Sequence, residues 1–413
     1  MRRFLLLPLA ALTLAAASLP TAPKPEDLGL SAERLQRIHQ MIQRHIDAGE
    51  ITGAVTLVAR HGKLAWVDAQ GVEDLDTKAP MKRDSLFRMA SMTKPIIGTA
   101  MMMMLEEGKV SLTDKVSKFI PEFRDIKVGI LETPGGRGRG AAPPKYYTVP
   151  ADRELIVKDL LTHTSGLVAG PMGQSAVAPI RRKPEETLAD FIPRLAQTPL
   201  EFQPGTRWMY SASDGFDPLG RIIEIASGQP LNVFLKQRIL DPLQMSDTGY
   251  WPTDAQMPRL VSVYRKTPQG LVKTPFDASM SMSSKVYFAS GGGLISDVDD
   301  YSHFAQMLLN DGELYGHRLL SPTTVKLMSS VHVPDTLPGR SPGEGFGLTV
   351  RVVQDAIGGN IRISNGSFGW SGVYGTHFWV DPKEDIVAVM MCQTSIGPMR
   401  NEFENAVMQA IIK

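Results

Sequence analysis

The chain of 413 residues contains one cysteine, Cys392, so no disulfide can form within it. It has no charge excess: 44 lysines and arginines face 43 aspartates and glutamates. That balance gives no electrostatic reason to bind nucleic acid or an anionic membrane. Past the N-terminal leader, no apolar run is long enough to span a bilayer. The one G-x-S-x-G pentapeptide, where the serine of a Ser-His-Asp arrangement usually sits, is "GRSPG" at 339–343, inside a proline- and glycine-rich run that reads as a loop. Two further signatures are missing. There is no H-E-x-x-H, and the eight histidines are scattered, so a metal site has no support. No glycine loop has the lysine and spacing that cradle a phosphate. The glycines of "ASGGGLIS" read instead as a turn where backbones approach closely. No cofactor is implied.

What is present suits a folded protein: 43% hydrophobic and 21% charged residues. Arg2 and Arg3 precede an apolar run from Phe4, and small residues follow near 15–18. Residues 1–22 therefore read as a secretory signal peptide. No cysteine stands after the run to take a lipid. The mature chain is expected to be extracytoplasmic, periplasmic or secreted, with no membrane anchor. Cys392 lies in "DIVAVMMCQ", an apolar strand-like run, and is expected to pack in the core.

The two ends of the chain share a texture. Near the front, Ser31 is a candidate N-cap for a helix carrying Leu35, Ile38, Ile42 and Ile46 at helical spacing. Two strand-like runs joined at His61-Gly62 follow. Near the back stand a helix capped by Ser296, a hairpin turning at 381–385, and a closing helix. Between them, helical segments alternate with proline- and glycine-rich loops. The stretches 133–145 and 167–179 read as flexible, and the two arginines of the first are too few to suggest RNA. The expected class is α+β: one antiparallel sheet flanked by the N- and C-terminal helices, with a mostly helical domain inserted. In residue terms, the sheet domain comprises 23–109 and 285–413, and the helical domain 110–284.

The chemistry begins at "RMASMTKPIIGTAMMMMLEEGK". A proline is tolerated only in the first turn of a helix, so Pro95 makes the helix start within a few residues of Ser91. Ser91 then stands at the positive end, where a developing anion is favoured. Lys94 follows one turn later on the same face. A lysine held among apolar neighbours can act as a base if burial lowers its pKa. The methionines 101–104 continue a helix that is apolar on all sides, hence buried. One S-x-x-K is a weak signal, since about one arises by chance in a chain this long.

Four ordered segments strengthen it: "SMTK", "LLTHTSGL", "PGTRWMYSASDGFDPLGRIIEIASG" and "GGGLISDVDDYSHFAQMLLNDG". Together they resemble the serine beta-lactamase-related superfamily, across nearly all of the mature chain. Within it the sequence is most similar to family VIII carboxylesterases, esterases with a class C beta-lactamase fold. The resemblance implies a beta-lactamase/penicillin-binding-protein-like fold, with Ser91 as the acylated serine and Lys94 as its motif lysine. Tyr210 matches the tyrosine of the Y-x-N element. Either Tyr210 or Lys94 would take the proton of Ser91. The backbone N–H groups of Ser91 and Val373 would form the oxyanion hole, with Gly372 letting the strand approach the substrate. His163, in "THTSGL", would be scaffold, and His377 alternates with apolar residues on a strand.

Two departures matter. Ala212 stands where Y-x-N has its asparagine, and Trp370-Ser371-Gly372 replaces K-T-G. The second removes a cation that would greet a carboxylate and puts an indole in the pocket wall. Both point toward neutral, fairly apolar acyl esters as small-molecule substrates. The expectation is a secreted serine carboxylesterase, with transesterification as a companion reaction. The alternatives are a beta-lactamase or D-amino-acid peptidase, and a penicillin-binding sensor that acylates without turnover.

Overall fold

His61 and Gly62 have φ of 53° and 68°. Two consecutive left-handed residues make the tight turn whose twist suits a hairpin. They join strands Gly53–Arg60 and Lys63–Gly71, paired with Arg60 opposite Lys63. A second hairpin pairs His377–Asp381 with Ile386–Cys392 across the 381–385 turn. All eight residues of Gly53–Arg60 are buried. Val55, Leu57 and Ala59 enter one core, and Ala54 and Val58 the other. Ile386–Cys392 alternates in the same way: Val387, Val389 and Met391 to the first core, Ile386, Ala388, Met390 and Cys392 to the second. Strands apolar on both faces need cover on both faces.

The computed structural model describes residues 18–135, 142–212, 214–275, 284–394 and 396–413. One face of the sheet is covered by the terminal helices Ala32–Asp47 and Met399–Met408, which pack on each other. Ser31 caps the first of them, accepting from the Arg34 N–H at 3.2 Å. The helix Val298–Leu309 lies on the other face. The sheet is antiparallel throughout, in the order Glu344–Phe346, Arg351–Val353, Phe368–Ser371, His377–Asp381, Ile386–Cys392, Gly53–Arg60, Lys63–Gly71. Its centre thus joins the front of the chain to the back, and the α+β class expected from the sequence holds.

The segment between the two ends differs from expectation in detail. Besides helices such as Leu188–Leu195 and Pro218–Ser227, it holds two small hairpins, Lys127–Thr133 with Lys145–Pro150 and Tyr264–Thr267 with Gly270–Lys273. The 133–145 stretch connects the first of these, and its residues 136–141, with both arginines, lie outside the described residues. The 167–179 stretch is not a flexible loop. Pro171 opens a helix, Pro171–Val177, and the Glu201 carboxylate accepts from the Met172 and Gly173 N–H groups at 3.2 and 3.1 Å. A proline after a glycine reads as a breaker, yet at the first helical position it is a start. The cap of Val298–Leu309 is Asp297, accepting from the Asp300 N–H at 2.8 Å, not Ser296. Ser296 pairs with Phe87 in a short strand and bonds the Thr248 hydroxyl.

The last residues of the expected leader have a place in the fold. Residues 1–17 lie outside the described residues, but 18–22 do not. Leu19 and Ala22 are buried, and the Ala22 N–H donates to the Leu64 carbonyl at 3.0 Å. The end of the expected leader is therefore built into the sheet edge. Among the described residues no helix is long and apolar enough to cross a membrane. Cys392 is a buried free thiol, and burial pushes its pKa up to about 11.

Candidate active site

Residues 87–92 carry the chain from strand to helix in one abrupt step. Phe87 and Arg88 pair with Ser296 and Ile295. Ala90 then takes φ of 44°, a left-handed conformation that costs a residue with a Cβ roughly 1–2 kcal/mol. A short 3-10 turn, Ala90–Met92, leads into the helix Thr93–Glu106. Pro95 falls in its first turn, and every residue from Thr93 to Met104 is buried. Half-buried Ser91 therefore sits just outside the N-terminus of a rod fixed on all sides. The Tyr301 hydroxyl donates to the Met92 carbonyl at 2.7 Å, and the Met89 N–H to the Leu294 carbonyl at 2.9 Å. Strain at Ala90 persists because these neighbours over-determine it.

Gly372 also serves this segment. A Cβ there would lie 2.4 Å from the Met89 carbonyl oxygen and 2.2 Å from Thr376 Oγ1. The Thr376 hydroxyl in turn donates to the Met89 carbonyl at 3.2 Å. Glycine is required because the end of strand Phe368–Ser371 presses on the backbone two residues before Ser91.

Lys94 is fully buried. Its ammonium donates to the carbonyls of Gly291 at 2.6 Å and Ala212 at 3.1 Å. It also lies 4.9 Å from the Tyr210 ring centroid and 5.0 Å from that of Phe216. Carbonyl oxygens and ring faces both attract a cation. The backbone of Ala212 thus holds the lysine at the position where the motif has an asparagine. The "SGGG" turn holds it from the other side, as the close backbone approach expected of those glycines.

Tyr210 is set by His163. The Met209 N–H donates to the His163 carbonyl at 3.1 Å, and the Ser211 N–H to His163 Nδ1 at 3.3 Å. The two rings stand 4.6 Å apart, edge to face. Burial, with Lys94 and Arg340 nearby, holds the imidazole pKa well below its ordinary value, so His163 is a neutral support. The Tyr210 hydroxyl is buried and has no hydrogen-bond partner among the described residues.

Ser91, Tyr210, Trp370, Ser371, Gly372 and Val373 line one cavity of about 310 Å³. Trp370 forms its aromatic wall, 5.4 Å from Tyr210 and 5.1 Å from Phe346 between ring centroids. The Val373 N–H makes no hydrogen bond among the described residues. Three further residues reach the cavity that sequence reasoning did not assign to it: Arg351, His377 and Arg400. The pocket is therefore not devoid of cations. Both guanidinium groups are ion-paired, Arg351 with Glu404 at 2.7 Å and Glu344 at 3.1 Å, Arg400 with Glu344 at 3.3 Å. Two arginines against two glutamates leave the cluster near neutral. The one usable signal was strand register, which sets His377 directly opposite Ser371. Among the described residues no three His, Cys, Asp or Glu side chains are grouped to hold a metal ion.

Behind Lys94 lies a buried acid. Asp217 accepts from the Tyr287 hydroxyl at 2.7 Å and the Gly291 N–H at 2.9 Å. Burial, then the Asp214 charge, pushes its carboxyl up to about 7. An unfolded aspartate titrates near 3.9. Between those values the folded chain keeps a proton the unfolded chain has released, so stability falls as pH rises through that window. Asp217→Asn cannot ionise. Relative to wild type, the variant is expected to gain about 2–4 kcal/mol between pH 4.5 and pH 8, read from urea denaturation at both values. An unchanged difference would mean that Asp217 ionises normally.

The Beta-lactamase family model matches residues 38–411. An uncharacterised protein of Mycobacterium tuberculosis is 36% identical over 368 residues, covering 85% of this chain and 88% of its own. Esterase EstB of Burkholderia gladioli is 28% identical over 424 residues, covering 96% of this chain and 99% of the esterase. Among solved structures, EstCE1, a hydrolase with promiscuous acyltransferase activity, is similar with a TM-score of 0.76 at 28% identity, over 91% of this chain and 99% of its own.

Proposed function

The chain belongs to the beta-lactamase family, and from that membership we propose that this serine hydrolase is a secreted carboxylesterase acting on neutral, fairly apolar acyl esters. The observation that carries the reading is the shared cavity: Ser91, Tyr210 and the Trp370–Val373 turn meet there, with Lys94 fixed beneath the Tyr210 ring. Ser91 Oγ attacks the ester carbonyl while its proton passes to the Tyr210–Lys94 pair, either member of which can serve as base. The N–H groups of Ser91 and Val373 hold the oxyanion, a contribution of about 3 kcal/mol per donor. The tetrahedral intermediate collapses, and the leaving alkoxide takes the proton back from that pair. Water, or an alcohol in transesterification, then attacks the acyl-enzyme by the same route in reverse.

The aromatic wall and the paired guanidiniums support a neutral ester over a carboxylate-bearing lactam or peptide. The names of EstB and EstCE1 point the same way. A second reading has one observation in its favour. Arg351 and Arg400 reach the cavity, and a guanidinium is what the carboxylate of a beta-lactam or D-amino-acid peptide needs. Parallel assays with p-nitrophenyl butyrate and a chromogenic cephalosporin separate the two. Faster turnover of the ester is expected. Faster turnover of the cephalosporin would replace the esterase with a lactamase, and a stoichiometric burst with no steady state on either would make the chain a sensor.

A further inference from the structure

Ser371 and His377 face each other across the strands Phe368–Ser371 and His377–Asp381. Ser371 Oγ lies 2.9 Å from His377 Nδ1. On the far side of the ring, Nε2 lies 3.2 Å from Glu404 Oε1, an ion-pair contact rather than a straight hydrogen bond. His377 and Glu404 are each 2% exposed. The row therefore runs from the cavity into the protein without meeting bulk water.

The order of charges decides where the protons sit. Burial pushes the Glu404 carboxyl up, but the His377 contact and the Arg351 and Arg400 charges outweigh it and hold it near 2. A carboxylate only accepts, so His377 must turn an N–H toward it from Nε2. Burial lowers the His377 pKa, as do Arg351 and Arg400, against the opposing pull of Glu404. The ring is then neutral, and Nδ1 presents a lone pair. The Trp370 carbonyl, 3.2 Å from Nδ1, favours a proton there. A full negative charge outweighs a carbonyl dipole, so the proton stays on Nε2. Ser371 has one proton to give and gives it to Nδ1. What its oxygen offers the cavity is lone pairs alone.

We propose that Ser371 is a specificity-determining acceptor that selects esters carrying a free hydroxyl beside the scissile bond and turns carboxylates away, with His377 and Glu404 as its positioning residues. The proposal rests on the Ser91 acyl-enzyme reading. A substrate O–H donates to Ser371 Oγ. A substrate carboxylate meets lone pairs with lone pairs, and its nearest cations are already paired. The hydroxyl can stand on the alcohol or on the acyl side, and paired substrates tell these apart.

The test compares kcat/KM for esters matched in size. On the alcohol side, 2-hydroxyethyl butyrate is set against propyl butyrate. On the acyl side, ethyl 3-hydroxybutyrate is set against ethyl 3-methylbutyrate. Wild type is expected to prefer the hydroxy ester of one pair by roughly fivefold, the worth of about one net hydrogen bond. Ser371→Ala should bring that ratio to about one, and Ser371→Thr should restore it. Carboxymethyl butyrate should be the poorest substrate of wild type. His377→Phe removes the acceptor and leaves the Arg351–Glu404 pair in place. It frees Ser371 to donate and should raise the ratio of carboxymethyl to 2-hydroxyethyl ester, a reversal that loss of packing alone would not produce. Equal rates within both matched pairs in wild type, or a Ser371→Ala protein that keeps the preference, would overturn the proposal while Ser91→Ala is inactive. Ester cleavage by Ser91→Ala would instead remove the acyl-enzyme on which it rests.

Discussion

Ser91→Ala is expected to lower kcat/KM for p-nitrophenyl esters by roughly 10⁴- to 10⁶-fold, the scale on which loss of a catalytic nucleophile is felt. The fold should not notice. The Ser91 hydroxyl makes no hydrogen bond among the described residues, and alanine fits the half-exposed start of the helix, so stability should stay within about 0.5 kcal/mol of wild type. A fluorophosphonate adds a second readout. It should label wild type on Ser91, by peptide mass spectrometry, and leave Ser91→Ala unlabelled. Label appearing on another serine, or activity surviving the change, would move the nucleophile elsewhere.

Tyr210→Phe should separate chemistry from stability more sharply. Proton transfer by a positioned side chain contributes about 10²- to 10⁴-fold, and kcat is expected to fall by that much. The deleted hydroxyl is buried and has no partner among the described residues. Nothing is orphaned by its removal, and a buried polar group left without a partner is itself a cost of about 1–3 kcal/mol. The ring keeps its contacts with His163 at 4.6 Å, Trp370 at 5.4 Å and the Lys94 ammonium at 4.9 Å. The variant should thus unfold at the same temperature as wild type or higher. A kcat within about fivefold of wild type would assign the base to another group, and a lowered melting temperature would make the hydroxyl structural.

These expectations draw on features of unequal visibility in the sequence. Turn and helix-start chemistry is local, and it was legible: His61-Gly62, Ser31 and Pro95 each stand where a backbone rule puts them. Two-faced apolar strands were legible as well, because burial on both sides leaves an unbroken run in the sequence. What could not be read were placements set by distant partners. Glu201 turns Gly170-Pro171 into a helix start from thirty residues away. No residue type announces the left-handed Ala90, since the strain is imposed by Leu294, Thr376 and Tyr301 around it. Arg351 and Arg400 reach the cavity from a strand and a helix that the motifs do not touch. Gly372 was legible as a place of close approach, but its contact with the Met89 backbone was not, since Met89 lies 283 residues away in the chain.

The join at the centre of the sheet has a kinetic consequence. Val55 pairs with Met391 and Leu57 with Val389. Ribosomes supply roughly 5–20 residues per second, so Gly53–Arg60 waits about 20–60 s for its partner. During that interval a strand apolar on both faces has one neighbour, Lys63–Gly71, and an open edge on the other side. Such contacts between distant parts of a chain are slow to form, and the open edge can pair with another nascent chain.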